Sequence, residues 1–70
     1  MLSLANLTLN GILYEYEKSI TIIELLEYLG FNIDVVLVDY NGTIIQRGYW
    51  STIQIKDKDN LEIVTLAGGG

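Results

Sequence analysis

A single stretch of this 70-residue sequence carries a helical period. In "TIIELLEYLG", Ile22, Leu25, Leu26 and Leu29 stand at i, i+3, i+4 and i+7, one stripe of a helix of about nine residues. The rest of the sequence alternates or runs apolar in short β-branched blocks separated by Asn, Gly and Asp, the pattern of strands and turns. One amphipathic helix has one stripe to bury and no second helix to receive it. It must therefore lie across one face of a sheet, an α+β two-layer design. The ends of the helix are marked: Thr21 with Glu24 three residues on forms a capping box, Gly30 suits a left-handed stop, and Phe31 is placed to fold back over the last turn.

The strands follow from the turns. Asn10-Gly11 is a strong hairpin signal, because both positions tolerate positive φ, and it separates a strand over residues 4–10 from one over 12–17. In the second, Ile12, Tyr14 and Tyr16 alternate with Leu13, Glu15 and Glu17, which predicts a packed aromatic face and a wet carboxylate face. "VVLVDY" reads as a strand buried on both faces in mid-sheet. Asn41-Gly42 then turns the chain into "TIIQ". "RGYWSTIQIK" reads as a short edge strand or a turn-rich connection, "DKDN" at 57–60 as a turn, and residues 61–66 as the last strand. The order is β-β-α-β-β-β. If the first and last strands lie side by side at the centre, the result is a β-grasp: a mixed sheet of four to five strands with one helix packed across one face. Residues 1–67 are expected to form this one domain, with 68–70 a flexible glycine tail.

Composition narrows the chemistry. There is no cysteine and no histidine, so disulfides, thiolate ligands and the usual neutral-pH general base are all missing. Glu24 and Glu27 read as a cap and a solvated helix face. We expect no catalytic residue, no metal site and no cofactor. A net charge of −5 with only four scattered basic residues disfavours a nucleic-acid surface and favours protein partners with basic faces. No stretch approaches the roughly 20 apolar residues of a membrane span. A soluble protein of a reducing or redox-indifferent compartment is expected.

The sequence closes on "LEIVTLAGGG". Leu61, Ile63 and Thr65 share one face of the last strand; Glu62, Val64 and Leu66 share the other. With the helix over the first face, Val64 and Leu66 are either exposed as a docking surface or covered by a neighbouring loop. The glycines have no Cβ, so Gly68 and Gly69 make a thread thin enough for a narrow channel, and extended they reach about 10 Å with Gly70. Gly70 offers an unhindered α-carboxylate, which becomes an acyl donor once it is joined to AMP. That activation must come from a partner, because the chain has no phosphate-cradling loop.

These residues resemble the ThiS family, the small sulfur carriers of thiazole biosynthesis within the ubiquitin-like β-grasp superfamily. The resemblance runs through "LTLNG", "TIIELLEYLG", "NGTIIQRGYW" and "DKDNLEIVTLAGGG", in order and at matching spacing. Gln46 stands where the family often has proline, and Lys58 where it often has glycine. Arg47 and Trp50 match the pattern. Trp50 is either a hydrophobic plug or a partner contact, and Arg47 either a backbone-carbonyl brace or half of a partner salt bridge. The resemblance implies that Gly70 is adenylated by an E1-like (ThiF-like) adenylyltransferase and converted to a thiocarboxylate. The sulfur originates from cysteine through a desulfurase and is delivered to a ThiG-like thiazole synthase. ATP and magnesium then belong to the activating enzyme. Val64, Leu66, Glu62, Arg47 and Trp50 form the candidate docking set. The alternatives are the small subunit of molybdopterin synthase, whose usual Pro-Pro has no counterpart in this proline-free chain, a ubiquitin-like protein modifier, and a β-grasp binding module with an inert tail. The expected compartment is the cytoplasm, or the plastid stroma if the gene is plastid-borne.

Overall fold

The computed structural model describes residues 4–16 and 19–66. Strands β1 (Ala5–Leu9) and β2 (Ile12–Tyr16) form the first hairpin, and the two-residue β3 (Ile20–Thr21) leads into helix α1 (Ile22–Tyr28). Strands β4 (Val36–Tyr40) and β5 (Thr43–Ile45) form the second hairpin. A 3₁₀ turn (Arg47–Tyr49), a short β6 (Gln54–Ile55) and the long β7 (Asp59–Thr65) complete the order. Five strands lie in the sequence β2-β1-β7-β4-β5. β7 is parallel to β1, with Leu9 opposite Leu61, and antiparallel to β4, with Val38 opposite Ile63. First and last strands thus meet at the centre of a mixed sheet, the β-grasp arrangement.

Both hairpins turn on left-handed residues: φ is 51° and 82° at Asn10 and Gly11, and 52° and 92° at Asn41 and Gly42. The asparagine side chains go further than hairpin formation requires. Asn10 exchanges two hydrogen bonds with the main chain of Ile63, and the Asn41 carbonyl oxygen accepts the Asn60 amide at 2.7 Å. The two turns therefore grip β7 from opposite sides.

The core lies between α1 and one sheet face. Ile22, Leu25 and Leu26 pack on Leu7, Leu9, Val36, Val38, Leu61 and Ile63, all buried. The helix stripe is the expected one, although α1 ends at Tyr28 with Leu29 as its cap. Thr21 and Glu24 form the full capping box. At the other end Gly30 has φ 82°, its amide bonds to Glu27 and the Phe31 amide bonds to Leu26, a complete Schellman motif.

Two expectations need correction, and one is made definite. β4 is not buried on both faces: Val36 and Val38 are buried, but Leu37 is 42% exposed, because among the described residues the helix covers only one side of the sheet. The segment after β5 is a turn-rich connection ending in a short strand, and β6 pairs with β3, Ile55 opposite Ile20, outside the main sheet. The last strand begins two residues earlier than the turn residues suggested, at Asp59. The turn itself is at Asp57 and Lys58, with φ 71° at Lys58.

Candidate functional site

The uncovered sheet face gathers the candidate docking residues. Alternation puts Glu62, Val64 and Leu66 on this face, together with Leu37 and Asp39 of β4 and Ile44 of β5. The register sets Leu37 opposite Val64, and Asp39 opposite both Glu62 and Ile44. Val64 and Leu66 are 53% and 49% exposed, and Ile44 is 59% exposed. Among the described residues no loop covers them. The result is an apolar patch crossed by a pair of opposed carboxylates, beside the strand that runs toward the glycines. Leu66 also donates its amide to the Val35 carbonyl, which holds the end of β7 against β4.

Leu37 and Ile44 were missing from the docking set read from the sequence. Their signal was the Asn41-Gly42 turn: counting outward from Tyr40 opposite Thr43 places Ile44 beside Asp39 and Leu37 two residues further, on one face.

The other two candidates sit elsewhere. Trp50 is buried at 2% exposure, and its indole N–H donates to the Ile45 carbonyl at 2.9 Å. Its ring lies inside the fold, so it leaves the docking set as a plug. Its own carbonyl accepts the Ile23 amide, and Ile53 accepts the Ile22 amide, so the loop after the 3₁₀ turn satisfies the first two N–H groups of α1. Arg47 is exposed and pairs with Asp34 at 2.9 Å, bracing the loop before β4 against the turn after β5. Gly68, Gly69 and Gly70 lie outside the described residues.

One polar cluster escaped the sequence reading, which took Asp59 as turn chemistry. Asp59 is 9% exposed. It accepts hydrogen bonds from the Tyr40 hydroxyl, from Asn41 at 3.0 Å and from the Lys56 amide at 2.7 Å. Burial alone pushes its carboxyl up. The Tyr40, Lys56 amide and Asn41 hydrogen bonds, with the Lys56 charge, more than offset that and leave it below the usual carboxylate range. Burial raises Tyr40 to about 12, helped by its hydrogen bond to Asp59 and that carboxylate's charge. Tyr16, whose hydroxyl donates to Ile55 at 3.0 Å, is raised by burial and by the charges of Asp59 and Asp57. The cluster's hydrogen bonds are used up in joining β7 to β4, its turn and the loop after β6, and β2 to β6, which makes it a structural clasp. Among the described residues, no three carboxylate, histidine or cysteine side chains are grouped to hold a metal ion.

The sequence profile of the ThiS family matches residues 7–70. The chain belongs to the ThiS family. A crystal structure of the thiamine biosynthesis protein ThiS from Geobacter metallireducens superposes with a TM-score of 0.80 at 32% identity, covering 93% of this chain and 99% of that one. The solution structure of a Geobacter metallireducens thiamine biosynthesis protein gives 0.75 at the same identity. Among sequence relatives, the uncharacterized protein ycf40 of Trieres chinensis is 37% identical over 89% of this chain and 85% of its own. A thiazole synthase of Magnetococcus marinus is 34% identical over 89% of this ThiS-family chain, which spans only 19% of that larger protein.

Proposed function

We propose that this chain is a sulfur carrier for thiazole formation in thiamine biosynthesis, with the Gly70 carboxylate as its reactive group. The observation that carries the reading is the ThiS-family match, which runs through the β-grasp scaffold to Gly70 itself. An E1-like adenylyltransferase joins the carboxylate to AMP with release of pyrophosphate. A desulfurase hands on cysteine sulfur as an enzyme persulfide, whose outer sulfur attacks the carbonyl carbon while the oxygen departs with AMP. A thiol then cleaves the resulting acyl disulfide, becoming a disulfide itself, and the freed thiocarboxylate is passed to thiazole synthase. The chain itself catalyses no step. Gly68 and Gly69 supply the thread that enters each partner's active site.

The partner choice has separate support. Two proteins named thiazole synthase carry a stretch similar to this chain within 19% and 20% of their lengths. Joining a carrier to its acceptor enzyme raises their effective concentration, which favours a pair that must meet repeatedly. The exposed patch suits such meetings. Like charges directly opposite each other weaken a sheet, so the Asp39–Glu62 pair is a cost in the free protein that a partner's Arg or Lys would relieve. The compartment that fits is the cytoplasm or a plastid stroma.

The test is intact mass after incubation with ATP, cysteine, a desulfurase and the activating enzyme. The expected result is a gain equal to exchanging one oxygen for sulfur, abolished by deleting Gly70 with no change in melting temperature. Sulfur transfer by the truncated chain would exclude the role.

A further inference from the structure

We propose that the groove between β2 and α1 is a second protein-binding site, which takes an extended peptide segment of alternating apolar and basic residues as an added strand. The site is remote from the Val64 patch and does not depend on sulfur chemistry. β2 stands at the edge of the sheet, and among the described residues nothing pairs with its outer side. The two-residue turn makes Leu9 and Ile12 a hydrogen-bonded pair, and every second pair after it, so the N–H and C=O groups of Leu13 and Glu15 point outward. An edge of this kind is normally blunted by lysine, proline or a bulge. β2, ILYEY, has none of these and a single charge, at Glu15, and Ile12 and Leu13 are 59% and 65% exposed.

Beside this edge runs a groove of about 420 Å³, walled by Tyr14 of β2, by Leu25 and Tyr28 of α1 and by its cap Leu29. An incoming strand bonded to Leu13 and Glu15 would place alternate side chains in it, the arrangement of strand addition with pockets for every second residue. The charge selects the occupant. Among the described residues no basic residue lines the groove, and Glu15, which alternates with Tyr14, puts its carboxylate on the other face of the edge, beside those side chains of an added strand that point away from the groove. The Tyr28 ring, 82% exposed, offers a face to a cation at the rim of the groove. A second copy of the chain fits poorly, since pairing two β2 edges brings Glu15 residues together in a protein of net charge −5.

The experiment uses the full ¹⁵N-labelled chain and a synthetic peptide of alternating valine and lysine. Binding is expected to shift the Leu13 and Glu15 amide resonances and to slow their hydrogen exchange by about tenfold or more. Methylating the peptide's strand-facing amide nitrogens should abolish this, and Glu15→Lys should weaken it about three- to fivefold. The N-methyl control leaves the protein unaltered, so its result cannot be ascribed to misfolding. The proposal is overturned if the unmodified peptide does not bind, if the N-methylated peptide or a valine–glutamate peptide binds equally well, or if sedimentation shows a β2-paired dimer that the peptide does not displace.

Discussion

At Lys58 a side chain occupies the position where a ThiS-like sequence often has glycine, and it adopts φ 71°. A left-handed conformation costs a residue with a Cβ about 1–2 kcal/mol, and glycine's larger unfolded entropy returns part of that. Lys58→Gly should therefore stabilise the fold by about 0.5–1 kcal/mol, a rise in melting temperature of a few degrees by calorimetry. Next to it, Asp59 links stability to pH. Its folded-state pKa is depressed below 3.8, so its contribution is fully present above that value and is lost as pH falls through the folded pKa. Tyr40 works in the opposite direction. Its pKa is raised from 10.0 to about 12, so its contribution is present below pH 10 and is lost as pH climbs between those values. Urea midpoints measured against pH should fall at both extremes, and Asp59→Asn should flatten the acid limb.

Among the elements, α1 shows how a short helix is held. Its first amide groups are taken by Ile53, Trp50 and the Thr21 hydroxyl, and its end by the Gly30–Phe31 motif. This also explains why the segment from Gln46 to Ile53 had no readable period. Its backbone is shaped by the need to meet a helix end and to seat Trp50, and those partners are remote in sequence. Gln46 itself has φ −66° and ψ 145°, which proline adopts without strain. The register from the Asn41-Gly42 turn points its amide away from β4. Gln46→Pro should be neutral to stabilising by about 0.4–1 kcal/mol through lost unfolded-state freedom. A lowered melting temperature would mean that this amide is hydrogen-bonded after all.

At the scale of the whole molecule, a single helix covers one sheet face and, among the described residues, nothing covers the other. Val64→Asp, at a half-exposed site opposite Leu37, should change folding stability by no more than about 1 kcal/mol. It should weaken binding to the activating enzyme by about tenfold, measured by calorimetry. Ile44→Asp should do the same, because Ile44 joins that patch through Asp39. Unchanged affinity in both variants would move the docking surface elsewhere. β1 separates the β2 edge from β7, and β5 stands at the opposite edge of the sheet, so the two surfaces can be occupied together.

The sequence alone determined the helix and both of its ends, the two hairpins, the β-grasp order and the family, because each is written in contiguous residues: a 3.6-residue period, an Asn-Gly pair, a capping box. Tertiary structure decided what depends on distant partners. It buried Trp50 and Asp59, bound Asn10 and Asn41 to β7, paired β6 with β3 and left Leu37 uncovered. The physical reason is that an apolar or polar residue is locally the same whether it ends up inside or outside. Only the layer that packs against it, and the hydrogen-bond partners that layer brings, settle which.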